Sequence, residues 1–291
     1  MRKTEIVNDL GLSDFHMEFI EILQAQYDSG ESDFTATSLL KPVREIVLWE
    51  SFVKNSECET PFKIKASSLM AASNGTALHL AVEKLIKSDE TEVRLYSTIR
   101  YGDTPFVISA QLDRIVYGEI RDMKFISDFS MNKGMKEEWV QQLNIQRYLA
   151  TRNGRQVRRL WIDAINLGAS IPKIVRGQSV PSFSYDIPMW ELEDTEAFIE
   201  EKIHQIVLGR STRPECTAEE RWARGAYRCV KEVGGRASRT FDTEMEAMAY
   251  CDGKDLFVEE NTKPEDQTKC SHYCPVSSVC SQFKRYKVDN E

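Results

Sequence analysis

The chain predicts an α/β fold, a central mixed sheet flanked by helices, closed by a C-terminal subdomain in which cysteines ligate a metal. Three observations predict it. Stretches with period-two alternation are interleaved with stretches at helical spacing, the pattern of helices laid against a sheet. Two alternating stretches flank Tyr117-Gly118, a two-residue turn signal. Three cysteines stand close together near the end of the chain, at Cys270, Cys274 and Cys280.

Residues 1–30 read as helical, with Phe15, Phe19, Ile20 and Leu23 near helical spacing before Ser29-Gly30-Glu31-Ser32 breaks the pattern. A second helix-like segment runs from Thr35 to Ser51. Asn74-Gly75-Thr76 signals the start of a helix whose Leu78, Val82, Leu85 and Ile86 make an apolar stripe, with His79 and Glu83 on the adjoining face. The hairpin over 105–127 follows, then a helix near 136–150, a strand at Arg159–Asn166 and another near Ser182–Trp190. A helix after Asp194, its expected N-cap, carries Phe198, Ile199, Ile203, Ile206 and Val207 at core spacing. Past Gly209 cysteines and arginines become frequent, and Tyr227–Val230, Thr240-Phe241 and Thr243–Tyr250 read as a small strand, strand and helix unit. This gives an N-terminal helical segment over 1–32, a core over 33–210 and a cysteine-ligated subdomain over 211–291.

With 41% hydrophobic and 29% charged residues in 291, the chain has ordinary globular composition. No apolar run approaches the ~20 residues of a membrane span, and the N-terminus lacks the apolar region of a signal peptide. A cytoplasmic location, away from membranes, is the expectation. A net charge of −8 argues against indiscriminate coating of nucleic acid, while leaving room for a local basic channel. Seven cysteines, an odd number, fit reduced thiols and metal ligands better than a disulfide framework.

The hairpin carries the chemistry. Phe106, Ile108, Ala110 and Leu112 alternate onto one face, which leaves Ser109, Gln111 and Asp113 on the other. In the next strand Asp122 and Lys124, two apart, share a face while Met123 turns away. A turn at Tyr117-Gly118 lets Asp113 approach Asp122. Two converging acids make a hard oxygen site for Mg2+ or Mn2+, and the adjacent lysine can orient a water. Glu119, at an odd offset from Asp122, faces away and is left out of the site.

The order Gly75-x3-His79, Asp113, Asp122-x-Lys124 and then Gln142 on the next helix resembles the PD-(D/E)xK nucleases of the RecB-like, iron-sulfur-containing branch. Phage-encoded exonucleases related to the CRISPR-associated adaptation nucleases are the nearest in pattern. The resemblance spans roughly residues 33–150, with a looser echo in the cysteine tail. It implies a restriction-endonuclease-like core and a metal-dependent deoxyribonuclease, an exonuclease in phage recombination, repair or replication. It assigns His79, Asp113 and Asp122 to the metal, Lys124 to the attacking water, and Gln142 to support of the metal or the substrate phosphate. Where the family usually reads Gln-x3-Tyr, this chain has Gln142-x3-Gln146, with Tyr148 two further on. Glu83 is read as a solvated helix-face carboxylate. The rival from another class is a silent DNA-binding or interaction module that keeps the fold.

Cys270-x3-Cys274-x5-Cys280 points to a thiolate metal site, and thiolates suit iron-sulfur clusters and Zn2+ alike. The resemblance favours a [4Fe-4S] cluster, although the family's first gap is one residue shorter. Cys216 is the candidate fourth ligand, with Cys58, Cys229 and Cys251 as alternatives; His272 completes the Zn2+ alternative. Trp222, Arg224, Tyr227 and Arg228 mix aromatic rings with cations, the mixture that grips single-stranded DNA. DNA, as single strands or duplex ends, is the expected partner, with a recombination or replication protein beside it. Oligomeric state is not written in any periodicity of the chain.

Overall fold

The computed structural model describes residues 4–25, 30–54, 61–85 and 91–288. Among the described residues the chain runs β1 (Thr4–Val7), α1 (Asp14–Ala25), β2 (Phe34–Thr35), α2 (Ala36–Leu39), α3 (Val43–Trp49), β3 (Phe62–Lys65) and α4 (Ala66–Leu85). It continues with β4 (Thr91–Tyr101), β5 (Thr104–Val116), β6 (Glu119–Ile126), α5 (Asp128–Asn132), α6 (Glu137–Arg152), β7 (Arg159–Asn166), α7 (Ile171–Val175) and β8 (Ser182–Asp186). The last part comprises α8 (Leu192–Thr212), β9 (Tyr227–Val230), β10 (Arg239–Phe241), α9 (Glu244–Cys251), β11 (Phe257–Glu260), α10 (Thr268–His272) and α11 (Ser281–Val288). None of the described helices is long and apolar enough to cross a membrane.

Two compact units are formed, one from residues 22–41 and 72–208, the other from 1–21, 42–71 and 209–291. The first holds the expected mixed sheet, in the order β2-β5-β6-β7-β8 with β4 on β5. Ile108, Leu112, Ile120, Leu160 and Ile162 are buried in it, as period-two alternation requires of a covered sheet. Helix α6 contributes the fully buried Leu143, Ile145 and Leu149 to the same unit.

The centre of this sheet is an unequal sharing of β5. From Thr104 to Arg114 it pairs antiparallel with β4. On its other side Ile108 and Ser109 pair with β2, and only Arg114, Ile115 and Val116 pair with β6. Strand β6 leaves β5 after Arg121 and follows β7 in parallel to Ile126. The two strands therefore part immediately beyond the Arg114–Arg121 pair.

In the other unit β1 and β3 form a parallel pair, and β10-β9-β11 form a small antiparallel sheet. Leu48, Val53, Phe62, Ile64, Val276 and Phe283 are among the residues of one core cluster there. Cys229 and Cys251 lie side by side in a second cluster, with Cα atoms 6.4 Å apart, near enough to form a disulfide. They face each other away from the cavity lined by Cys216, Cys270, Cys274 and Cys280, which removes both from the alternatives for a fourth metal ligand. The packing of α9 on β9 is what brings them together.

Several local expectations are also corrected. Residues 4–7 are a strand, because β3 supplies a parallel partner. The segment from Thr35 to Ser51 is broken at Pro42, which precedes α3 and lacks the N–H that would continue a helix. Helix α4 starts at Ala66 rather than at Asn74, and Asp194 lies inside α8 rather than capping it. Strands β2, β3, β4 and β11 are additions to the expected set. Cys58, Ile86 and the side chains of Glu83 and Leu85 lie outside the described residues.

Candidate active site and cysteine cavity

The hairpin turn forms as its residues require. Tyr117 and Gly118 both have positive φ, 52° and 78°, the left-handed pair of a tight two-residue hairpin. The register that follows, Arg114 with Arg121, sets Asp113 across from Asp122 at the point where the strands part. Met123 N, past the end of the ladder, donates to Asp113 Oδ2 at 2.8 Å. A carboxylate thus accepts from a backbone donor that has left the β5 ladder.

Asp122 is 2% exposed. Its Oδ1 accepts from Gln142 Nε2 at 2.8 Å, and its Oδ2 stands 2.7 Å from Lys124 Nζ. Lys124 Nζ also donates to Gln142 Oε1 at 3.1 Å. Asp122, Lys124 and Gln142 therefore close a three-membered ring in which each side chain orients the other two. Burial works to lower the Lys124 pKa, and the Asp122 carboxylate, aided by Asp113 and Glu138, more than offsets it. The net shift is upward. Lys124 is then a cation and a hydrogen-bond donor at neutral pH.

His79 approaches from α4, with Nδ1 3.5 Å from Asp113 Oδ2 and its ring edge-on to Phe125 at 5.5 Å. Burial lowers its pKa, more than the Asp122 carboxylate raises it. A neutral imidazole is the form that ligates metals. All five expected residues are thus brought together within the first-described unit. The donor set of two carboxylates and a neutral imidazole fits a hard divalent cation. No three of these side chains stand at ready-made coordination geometry among the described residues.

Two neighbours on α6 behave differently. Gln146 is buried, and Tyr148 is buried with its hydroxyl donating to Glu196 Oε1 at 2.7 Å. Tyr148 is thereby committed to α8.

The other unit gathers the second constellation. Cys216, Cys270, Cys274 and Cys280 all line one cavity, with Arg44 and Glu45 of α3 in its wall. Burial pushes the Cys270 thiol up to about 11 and Cys274 up to about 12, and it raises Cys216 as well. Unligated, such thiols keep their protons at neutral pH. Cys216 is held by a side chain that sequence reading missed: its N–H donates to Gln282 Oε1 and its carbonyl accepts from Gln282 Nε2, both at 2.9 Å. Arg221, 1% exposed, donates from Nε to the same carbonyl at 3.2 Å. The four sulfurs share a cavity without being drawn into coordination geometry.

Of the four residues expected to face DNA, Trp222 is 52% exposed and Arg224 is exposed. Arg228 is ion-paired with Glu259, and Tyr227 packs against the Cys229 cluster.

No family model and no curated protein matches the chain. Among solved structures, the chain is similar to SSO0001 at 18% identity and a TM-score of 0.46, over 70% of this chain and 88% of that one. It is similar to LHK-Exo in complex with dAMP at 15% identity and a TM-score of 0.35, over 62% and 90% of the two chains. For LHK-Exo alone, an alkaline exonuclease from Laribacter hongkongensis, the values are 18%, 0.32, 67% and 97%. At these scores the likeness carries no argument, and function rests on the geometry of the site.

Proposed function

We propose that the protein is a Mg2+- or Mn2+-dependent deoxyribonuclease, acting as an exonuclease on single strands or duplex ends. The observation that carries this is the ring of Asp122, Lys124 and Gln142 facing Asp113 and His79 where β5 and β6 part. Asp113, Asp122 and His79 would hold the divalent ion. When bound, the ion polarises a phosphate and lowers the pKa of water.

The chain's own residues supply the rest. Asp122 and Gln142 hold the Lys124 ammonium through two oxygens, 2.7 and 3.1 Å away. A lysine kept protonated in this way is a donor rather than a general base, suited to orienting the attacking water and meeting charge that develops on phosphate oxygens. Gln142 acts by fixing Asp122 and Lys124 at once. The cysteine cavity is read as the seat of a [4Fe-4S] cluster, with Zn2+ as the alternative. Cys216, Cys270, Cys274 and Cys280 are its ligands, and soft thiolate donors in a buried cavity support that reading. Resemblance alone supports a place in phage DNA recombination, repair or replication.

The test is degradation of labelled single- and double-stranded DNA with each end blocked in turn, in Mg2+, Mn2+ or EDTA. Metal-dependent release of nucleotides from an unblocked end is expected. A protein inert on every end and metal would overturn the proposal in favour of a silent DNA-binding module.

A further inference from the structure

Among the described residues, Arg44 is a buried cation whose partners are not carboxylates. It is 6% exposed and sits in the first turn of α3. Its Nη1 donates to the carbonyls of Arg213 at 2.7 Å and Pro214 at 3.2 Å. Nη2 donates to Ser281 Oγ at 2.7 Å, and Nε donates to Cys280 Sγ at 3.2 Å. Each of these bonds ends on a neutral oxygen or on sulfur. The carboxylate next to it in the chain, Glu45, is 3.1 Å from Lys269 Nζ. A guanidinium keeps its charge in a protein, and burying a charge is costly unless an opposite charge accompanies it. The sulfur of Cys280, 3.2 Å from Nε, is the partner in reach, and its ligation to a metal would supply the opposite charge.

The same fork joins two segments that are far apart in the chain. Arg213, at φ 47°, turns its carbonyl toward Arg44 just ahead of Cys216, and Ser281 immediately follows Cys280. One planar group therefore sets the spacing between two cysteine-bearing segments, while Gln282 fixes the backbone of Cys216.

We propose that Arg44 is the positioning residue of a thiolate metal centre, donating a charge-assisted hydrogen bond to the Cys280 sulfur and clamping the Cys216 and Cys280 segments around the ion. This rests on the reading of the four cysteines as ligands. Partners of this kind outside the coordination shell orient a ligand and tune the metal. Hydrogen bonds to ligand sulfurs and local positive charge also set the potential of an iron-sulfur centre. Arg44 is then expected to raise both metal affinity and reduction potential.

The experiment uses the full chain, purified without oxygen, as wild type, Arg44→Met, Arg44→Lys and Ser281→Ala. Iron, sulfide and zinc per chain are measured first, then affinity by chelator competition, then midpoint potential if iron is present. Arg44→Met is expected to weaken metal binding ~10- to 100-fold and to lower the potential. Arg44→Lys, which keeps the charge, should recover part of the loss. Ser281→Ala loosens the clamp without touching the N–H···S bond and should leave the potential at the wild-type value. Wild-type affinity and potential in Arg44→Met, or in Arg44→Lys should the methionine variant not fold, would overturn the role of Arg44 alone. A wild-type chain that binds neither iron nor zinc would instead overturn the ligand reading beneath it.

Discussion

The acid and lysine site takes Asp113, Asp122 and Lys124 from a single hairpin, whereas the cysteine cavity draws Cys216 and Cys280 from opposite sides of an intervening strand and helix module. In the first, backbone register does the placing: the Tyr117-Gly118 turn and the Arg114–Arg121 pair leave Asp113 one place to be. In the second, side chains do it, through the forks of Arg44 and Gln282. A register-built site tolerates loss of a functional group without losing its shape. A side-chain-built site loses shape and function together.

The sharpest way to break that contrast is Lys124→Met. We expect a fall in kcat/KM of ~10²- to 10³-fold, the range for removing one preorganised donor, with DNA binding retained in a gel-shift assay. A parallel loss of binding would place Lys124 in the substrate path rather than in the chemistry. Cys216→Ser is the matching change in the cavity. Bound metal should fall by ~10-fold or more, and the unfolding midpoint should fall with it, since a structural metal contributes folding free energy. Metal content at the wild-type level would return the search for a fourth ligand to the remaining cysteine, Cys58.

Smaller effects test the turn and a neighbouring loop. Gly118→Ala places a side chain at φ 78° and brings its Cβ within 3.2 Å of Gln156 O. It should cost about 1–2 kcal/mol in urea unfolding and slow the proposed nuclease activity through misplacement of Asp113. Asp128 is held near pKa 2, against an ordinary 3.8, by hydrogen bonds from Lys173, Ser179 and Asn166. Because the folded value is depressed, its stabilisation is present above pH 3.8 and fades as pH falls toward 2. Asp128→Asn should lower the urea midpoint at neutral pH and flatten that acid limb, so that the two proteins converge as pH falls toward 2.

The same contrast explains what could be read from sequence. Period-two alternation and a two-residue turn are local signals, so the hairpin, its buried face of Phe106, Ile108, Ala110 and Leu112, and the strand at Arg159–Asn166 were legible residue by residue. The start of α4 was not. It is anchored by Asp9, whose carboxylate accepts from Ser67 N at 2.9 Å and Ser67 Oγ at 2.6 Å, and no local pattern announces a partner so distant in the chain. The strand at Thr4–Val7 likewise depends on β3. Strand β4 does alternate, with Leu95 and Ile99 buried, and was the one element a stricter reading would have found. Arg44 and Gln282 carry no motif, since a residue that acts by holding another leaves no spacing of its own.

The bond from Met123 N to Asp113 Oδ2 gives the protein an internal reporter. An amide protected by a side chain, and not by a neighbouring strand, exchanges with solvent on a clock set by that side chain alone. If Asp113 turns to a divalent ion, the Met123 amide should exchange faster while those of Ile120 and Arg121 keep their pace. Hydrogen exchange with and without Mn2+ would then time the arming of the site one residue at a time, in the absence of any substrate.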